Sequence, residues 1–111
     1  MDPEDSKIVA LARASRARAS AAEGACVRDP DGRTYAAVTV GLPSLSLSAV
    51  QLAVAMAVSS GADGLEAVAV VTESGSVASA DLAAVHDIAG AGIPVLRCDP
   101  SGELVESVSS S

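Results

Sequence analysis

Apolar residues are distributed along the chain in distinct rhythms, and each rhythm predicts an element. Near the amino end Ile8, Val9, Leu11, Ala12 and Ala19 recur on one helical face, predicting a helix over 3–21 that opens at Pro3. Runs at 24–28 and 34–40 flank Asp29-Pro30-Asp31-Gly32-Arg33. Proline presets the first turn dihedral and Gly32 accepts a positive one, so this pair reads as a tight hairpin. Segment 41–47, with Pro43, Ser44 and Ser46, reads as a loop. Over 49–58 only Gln51 is polar, and a helix apolar all round is buried on most of its sides. Ser46 or Ser48 caps its start, Gly61 takes the left-handed position at its end, and Ala53 and Ala57 are expected to face outward. It falls well short of the ~20 apolar residues of a membrane span. The run at 65–72 suits a strand buried on both faces. A third helix follows at 78–89, with Ser76 or Ser79 as cap and Asp81 near the positive end of its dipole. A strand at 93–98 begins with Ile93 and Pro94, a short strand is allowed at 103–108, and the tail 109–111 is expected to fray.

Strand-helix-strand crossovers are right-handed and make their strands parallel. The predicted order therefore requires a mixed sheet, with an antiparallel hairpin at one side, parallel strands at the other, and helices on both faces. The fold class is α/β in three layers, and 111 residues form a single domain, 1–111.

Composition narrows the function more than the fold. Half of the residues are hydrophobic, yet Tyr35 is the only aromatic, so the core is built from Ala, Val, Leu and Ile. With 7 basic against 14 acidic residues the net charge is -7, which argues against a nucleic-acid binder. Lys7, Arg13, Arg16 and Arg18 concentrate positive charge on the first helix, read as a solvated face rather than a docking surface. Met1-Asp2-Pro3-Glu4-Asp5 lacks the features of a secretory signal, which places the protein in the cytoplasm. Cys26 and Cys98 are accordingly expected to be reduced, as small buried hydrophobes.

The segment Ser48-Ala49-Val50-Gln51 through Ala57-Val58-Ser59-Ser60-Gly61 resembles the zinc-bearing helix of the small cytidine deaminases, which runs Cys-Ala-Glu-Arg and closes Ala-Val-Ser-x-Gly. Gly24-Ala25, Asp31-Gly32, Thr39-Val40, Ser44, the run 67–71 and Ile93-Pro94-Val95 extend the resemblance along nearly the whole chain. It implies a three-layer α-β-α cytidine deaminase-like fold, in agreement with the periodicity. The family's chemistry uses Zn²⁺ held by His or Cys plus two cysteines, an activated water and a proton-carrying glutamate. By resemblance Ser48 stands at the first ligand position and Val50 at the glutamate. Alignment back from Val85 sets Ser79 and Leu82 against the two cysteines of Pro-Cys-x-x-Cys, and no cysteine lies between Cys26 and Cys98. Thr39 and Gly41 stand at the ribose-holding Asn and Glu. No catalytic residue, metal site or zinc cofactor is therefore expected.

Replacement sites find little support. His86 with Asp87 or Cys98 offers too few ligands for tight zinc binding. Ser44, Ser46 and Ser48 have no His or Lys nearby to activate a nucleophile, and Gly90-Ala91-Gly92 follows a helix, whereas phosphate-cradling loops precede one. The leading expectation is a non-catalytic relative acting by binding or assembly. Relatives that assemble around their zinc-bearing helices imply a homo-oligomer, dimer or tetramer, with an unidentified protein or small-molecule partner. The alternatives are an active nucleoside deaminase with an atypical site and a small-ligand binder using the vacated pocket.

Overall fold

A computed structural model describes residues 1–110. The elements are α1 (Pro3–Ala19), β1 (Gly24–Arg28), β2 (Thr34–Val38), β3 (Val40–Leu42), β4 (Leu45–Leu47), α2 (Ala49–Ser59), β5 (Ala67–Val71), α3 (Ser79–Ala89), β6 (Pro94–Cys98) and β7 (Leu104–Ser109). The main sheet has the order β2-β1-β5-β6-β7. β1 is antiparallel to both β2 and β5, β5 and β6 are parallel, and β7 returns antiparallel to β6. The expected mixed sheet is present, with its parallel character confined to one pair.

Helix α1 packs on one face across β1, β2 and β5, while α2 lies on the other face across the same strands, flanked by α3. Strand alternation sorts the side chains accordingly. Ile8, Val9 and Ala12 of α1 bury Cys26, Ala67, Ala69, Val71, Leu96 and Cys98. The opposite core joins Val50, Ala53, Val54 and Ala57 of α2 to Val27, Val68, Val70, Val85 and Val95. Such small side chains allow close layers. A Cβ on Gly24 would lie 2.2 Å from the Ala12 carbonyl oxygen, so the approach of α1 to β1 requires glycine.

The turns follow from short polar side chains. Asp29 Oδ1 accepts from the N–H groups of Asp31 and Arg33, both at 2.9 Å, and its Oδ2 accepts from the Tyr35 hydroxyl at 3.0 Å. Asp99 repeats this device before β7, accepting from the N–H groups of Ser101 and Glu103 at 2.9 and 3.1 Å. Helix α2 starts in a capping box, Ser48 Oγ accepting from Gln51 N–H and Gln51 Oε1 accepting from Ser48 N–H, each at 3.0 Å. It ends in a Schellman arrangement: Ala62 N–H bonds Ala57 O, Gly61 N–H bonds Val58 O, and Gly61 takes φ 93°.

Several expectations change. Segment 41–47 is no simple loop, because Leu42 pairs with Leu45 and Val40 with Leu47 in a β3–β4 hairpin. Pro43 and Ser44 form its two-residue tip, and Leu42 and Leu45 stay exposed. Helix α2 is not buried on most sides: Ala53 and Ala57 face the sheet, whereas Ala55, Met56 and Val58 are exposed. One flank meets α3, one meets the sheet and β4 also touches the helix, which leaves Ala55, Met56 and Val58 exposed among the described residues. Neither Ser76 nor Ser79 caps α3, whose N-cap is Ala78 without a side-chain bond. The frayed tail expected at 109–111 is not what residues 109 and 110 do. Ser109 closes β7, and Ser110 is buried, donating from Oγ to Gly90 O at 2.7 Å and accepting there from Ile93 N–H at 3.0 Å. Ser111 lies outside the described residues.

Candidate functional site

The amino ends of α2 and α3 open at the same end of the sheet, where β2 and β5 finish and β1 begins, since Gly24 pairs with both Val38 and Val71. Loops at the carboxyl ends of parallel strands are where α/β folds build sites. Ser48 is the N-cap of α2, and Asp81 is the third residue of α3. Ser48 Oγ donates to Asp81 Oδ1 at 2.5 Å, joining the two helix starts directly. Asp81 is 4% exposed. The five ion pairs among the described residues do not include it.

Beneath this junction, polar groups on the last strand positions bond to one another. Glu23 N–H donates to Thr39 Oγ1 at 3.1 Å, and Thr39 N–H returns to Glu23 O at 3.2 Å. Thr72 Oγ1 donates to Glu23 Oε2 at 2.8 Å and accepts from Ser74 N–H at 3.0 Å. Arg97, almost buried, donates to Glu106 at 2.8 Å and to the Ser74 carbonyl at 3.0 Å, fastening the β5–α3 loop to the sheet.

The residues singled out from sequence thus separate. Ser48 lies at the helix junction. Val50 is 0% exposed and belongs to the hydrophobic core. Ser79 is exposed on the first turn of α3, and Leu82, partly buried, packs against the core. Thr39 ties two strand ends together, and Gly41 is an exposed residue of β3. The α3 residue that meets Ser48 is Asp81, one position before Leu82. A signal for it existed: Asp81 and Val85 are spaced i, i+4 and so share the buried face of the helix. Glu23 and Thr72 had no comparable signal, because pairing across strands decides their meeting.

The donor set at the junction is one hydroxyl and one carboxylate, which does not match a zinc site of three thiolate or imidazole ligands. Among the described residues no three His, Cys, Asp or Glu side chains are grouped to hold a metal ion. His86 and Asp87 are exposed on α3, whereas Cys98 lies across the sheet in the α1-side core. Cys26 and Cys98 are on β1 and β6 with β5 between, and register offsets them by two residues, so they are more than two strand spacings or ~9.6 Å apart, too far for a disulfide. Burial pushes the Cys26 thiol up to about 11 and also raises that of Cys98. Ser48 Oγ donates a hydrogen bond to Asp81 and accepts one from Gln51 N–H, so it is at once the cap of α2 and a tie to α3. Three surface concavities lie away from this junction. One runs between α2 and α3 past Val54, Val58, Ala84 and Ile88, one beside Tyr35, Leu52 and Met56, and one on α1 near Arg13.

Known structures share this architecture. A cytidine deaminase from Burkholderia pseudomallei superposes with a TM-score of 0.82 at 20% identity, over 94% of this chain and 91% of its own. A cytidine deaminase from Mycobacterium leprae gives 0.72, also at 20% identity, with the same coverage. At that identity the likeness is one of fold. Among curated proteins none matches this chain in sequence. A family model described as cytidine deaminase-like matches residues 1–102. With the fold and the family model in agreement over nearly its whole length, the chain belongs to the cytidine deaminase-like family.

Proposed function

We propose that this chain is a non-catalytic, zinc-free member of its family that works through binding or assembly. The observation that carries this reading is the content of the helix junction: a Ser48–Asp81 hydrogen bond lies between the helix starts, and Val50 is sealed in the core. Water activation requires a metal ligand set or a base facing a cavity, and neither side chain provides it. Assembly is supported by the outer side of α2, where Met56 is 37% and Val58 53% exposed beside the partly covered Leu52. A continuous apolar helix face is suited to a self-complementary contact with a second copy. The cytoplasm is the proposed compartment, in keeping with two cysteines too far apart to bridge.

The test is elemental analysis and cytidine turnover of protein expressed with added zinc, together with light scattering. Less than a tenth of a zinc per chain, no uridine and a dimer or larger species support the reading. About one zinc per chain together with turnover overturns it. Val58→Asp should shift the assembled species toward monomer, because it places a charge at a desolvated contact. A parent that is monomeric at all concentrations removes the assembly half.

A further inference from the structure

The amino ends of two neighbouring helices repel each other, since each carries about half a positive charge and unpaired N–H groups. In a chain whose donor set does not suit a metal, something else must hold them together. Helix α2 brings no acidic residue to its own first turn. Helix α3 brings one, Asp81. That carboxylate is buried, lacks an ion-pair partner among the described residues, and receives the hydroxyl of Ser48, the residue that also caps α2. A buried carboxylate without a cation needs compensation from hydrogen bonds and dipoles. Here Ser48 at the start of α2 supplies the hydrogen bond, and the position of Asp81 in the first turn of α3 adds that helix's dipole.

We infer that Asp81 is an internal clamp: its carboxylate, bound by Ser48, neutralises the two helix starts and fixes α2 against α3, the task a metal would otherwise perform at this junction. This rests on the zinc-free reading only in assigning the clamp that task; the contact and burial of Asp81 stand without it. The clamp divides the work between partners. Ser48 serves α2 through Gln51 N–H and serves α3 through Asp81, so its loss weakens both links. Gln51 Oε1 bonds Ser48 N–H and keeps the serine oriented. The β5–α3 loop before Asp81 is itself anchored by Arg97 on the Ser74 carbonyl, which limits how far α3 can move.

The experiment is a double-mutant cycle of Ser48→Ala and Asp81→Ala, with Asp81→Asn as the volume-conserving variant and Asp63→Asn as an exposed control. Urea unfolding and hydrogen exchange at Gln51 and Leu52 are the readouts. Each single clamp variant should lower the folded-to-unfolded ratio about tenfold or more, and the double should lose clearly less than the product, because the pair shares one bond. Asp81→Asn keeps an acceptor for Ser48 but removes the charge, so its loss should fall between parent and Asp81→Ala. Exchange at the start of α2 should rise in Asp81→Ala although the substitution is on α3, and should be unchanged in Asp63→Asn. Multiplicative losses in the cycle with unchanged exchange in α2 would overturn the clamp. If Asp81→Ala does not fold, the cycle of Asp81→Asn with Ser48→Ala reads the charge-dependent part of the coupling alone, and a coupling of zero there together with unchanged exchange in α2 would equally overturn the clamp. A melting temperature of the parent that drops in EDTA and recovers with zinc would instead show a metal-held junction, and that outcome is read separately from the coupling.

Discussion

Returning the family's glutamate to its position in this chain should damage the protein without restoring anything. Val50 is the second residue of α2, fully buried among the α2, α3 and sheet side chains. In Val50→Glu a carboxyl group must enter that core. Keeping it neutral at pH 7 against an ordinary value of about 4.3 costs about 3.7 kcal/mol. The longer side chain adds about 1–3 kcal/mol of strain in a packed core. Held neutral, the acid gains nothing from the positive end of α2. The net loss is roughly 5–7 kcal/mol, a large part of the 5–15 kcal/mol of a typical domain. For a chain of this size the melting temperature should drop by roughly 20–30 °C.

The pH dependence identifies the cause. A buried acid has a raised folded-state pKa, so between about pH 4.3 and that value the native state holds a proton that the unfolded state has released. Stability of Val50→Glu relative to Val50→Gln should therefore be similar near pH 4 and worsen by about 1.4 kcal/mol per pH unit above it. Thermal and urea unfolding of both variants from pH 4 to 8 provide the measurement. A Val50→Glu protein within about 1 kcal/mol of the parent at pH 7, with a flat difference from Val50→Gln, would refute the reasoning. It would mean that water reaches this position, and the small-ligand reading would then have its pocket.

Further outcomes follow from the buried polar groups and thiols. With its thiol pushed up to about 11 and no exposure, Cys26 should resist thiol reagents at pH 7 until denaturant is added, and rapid labelling of the native protein would contradict its placement. Although burial opposes it, the N–H groups of Arg33 and Asp31 and the Tyr35 hydroxyl hold the Asp29 carboxyl below its usual range. Its contribution is present above its unfolded value and is lost as pH falls through the folded one. Asp29→Ala should thus be less stable than the parent at pH 7, with the gap closing in acid; a gap constant to the lowest pH at which both fold would refute this. Ser110→Ala removes the hydroxyl's bonds to Gly90 O and Ile93 N–H and should cost about 1–3 kcal/mol in urea unfolding, whereas no change would show that this hydroxyl contributes nothing to the docking of Ser110.

Legibility in the sequence was uneven for physical reasons. Local patterns carried the elements: 49–58 is helix because its apolar run is bounded by a capping box and a Schellman glycine, and 24–38 is a hairpin because Asp29 and Gly32 form its turn. The same Asp-Pro-x-Gly pattern at Asp99 to Gly102 announced the β6–β7 hairpin just as clearly, and the terminal serines obscured it by looking like a frayed end. The β3–β4 hairpin was hidden because two leucines pairing across Pro43 and Ser44 resemble a loop when their side chains end in solvent. Which side of α2 faces outward could not be read from a segment apolar all round, since periodicity is informative only when polar residues mark a face. The clamp was hidden for a related reason. Asp81 looked like an ordinary first-turn acid, and only the packing of α3 against α2 turns it toward Ser48.

The position of Asp81 also decides where a metal site could be built. Alignment from sequence pairs Ser48 with Ser79 and Leu82, but contact pairs Ser48 with Asp81. A Cys-x-x-Cys spacing ending at Asp81 begins at Ala78, the N-cap of α3. Neighbouring helical residues point about 100° apart, so the two registers direct their ligands differently. Two thiolates on one tetrahedral zinc sit roughly 3.8 Å apart, given Zn–S bonds of about 2.3 Å. Ser48 Oγ lies 2.5 Å from Asp81 Oδ1, and a cysteine sulfur at position 81 would stand where the carboxyl carbon is, one bond further back. Ala78 and Ser79 are both exposed, so the second ligand decides between the registers: Asp81 meets Ser48, whereas Leu82 packs into the core. The variant Ser48→Cys, Ala78→Cys, Asp81→Cys should therefore bind about one zinc per chain, show thiolate-to-cobalt absorption with Co²⁺, and gain melting temperature with added zinc. Without metal it should be less stable than the parent, having lost the Asp81 carboxylate. The variant Ser48→Cys, Ser79→Cys, Leu82→Cys should bind zinc weakly and lose core packing. Equal or tighter binding by the second variant would move the helix junction one residue along α3 and remove the geometric basis of the Ser48–Asp81 pairing.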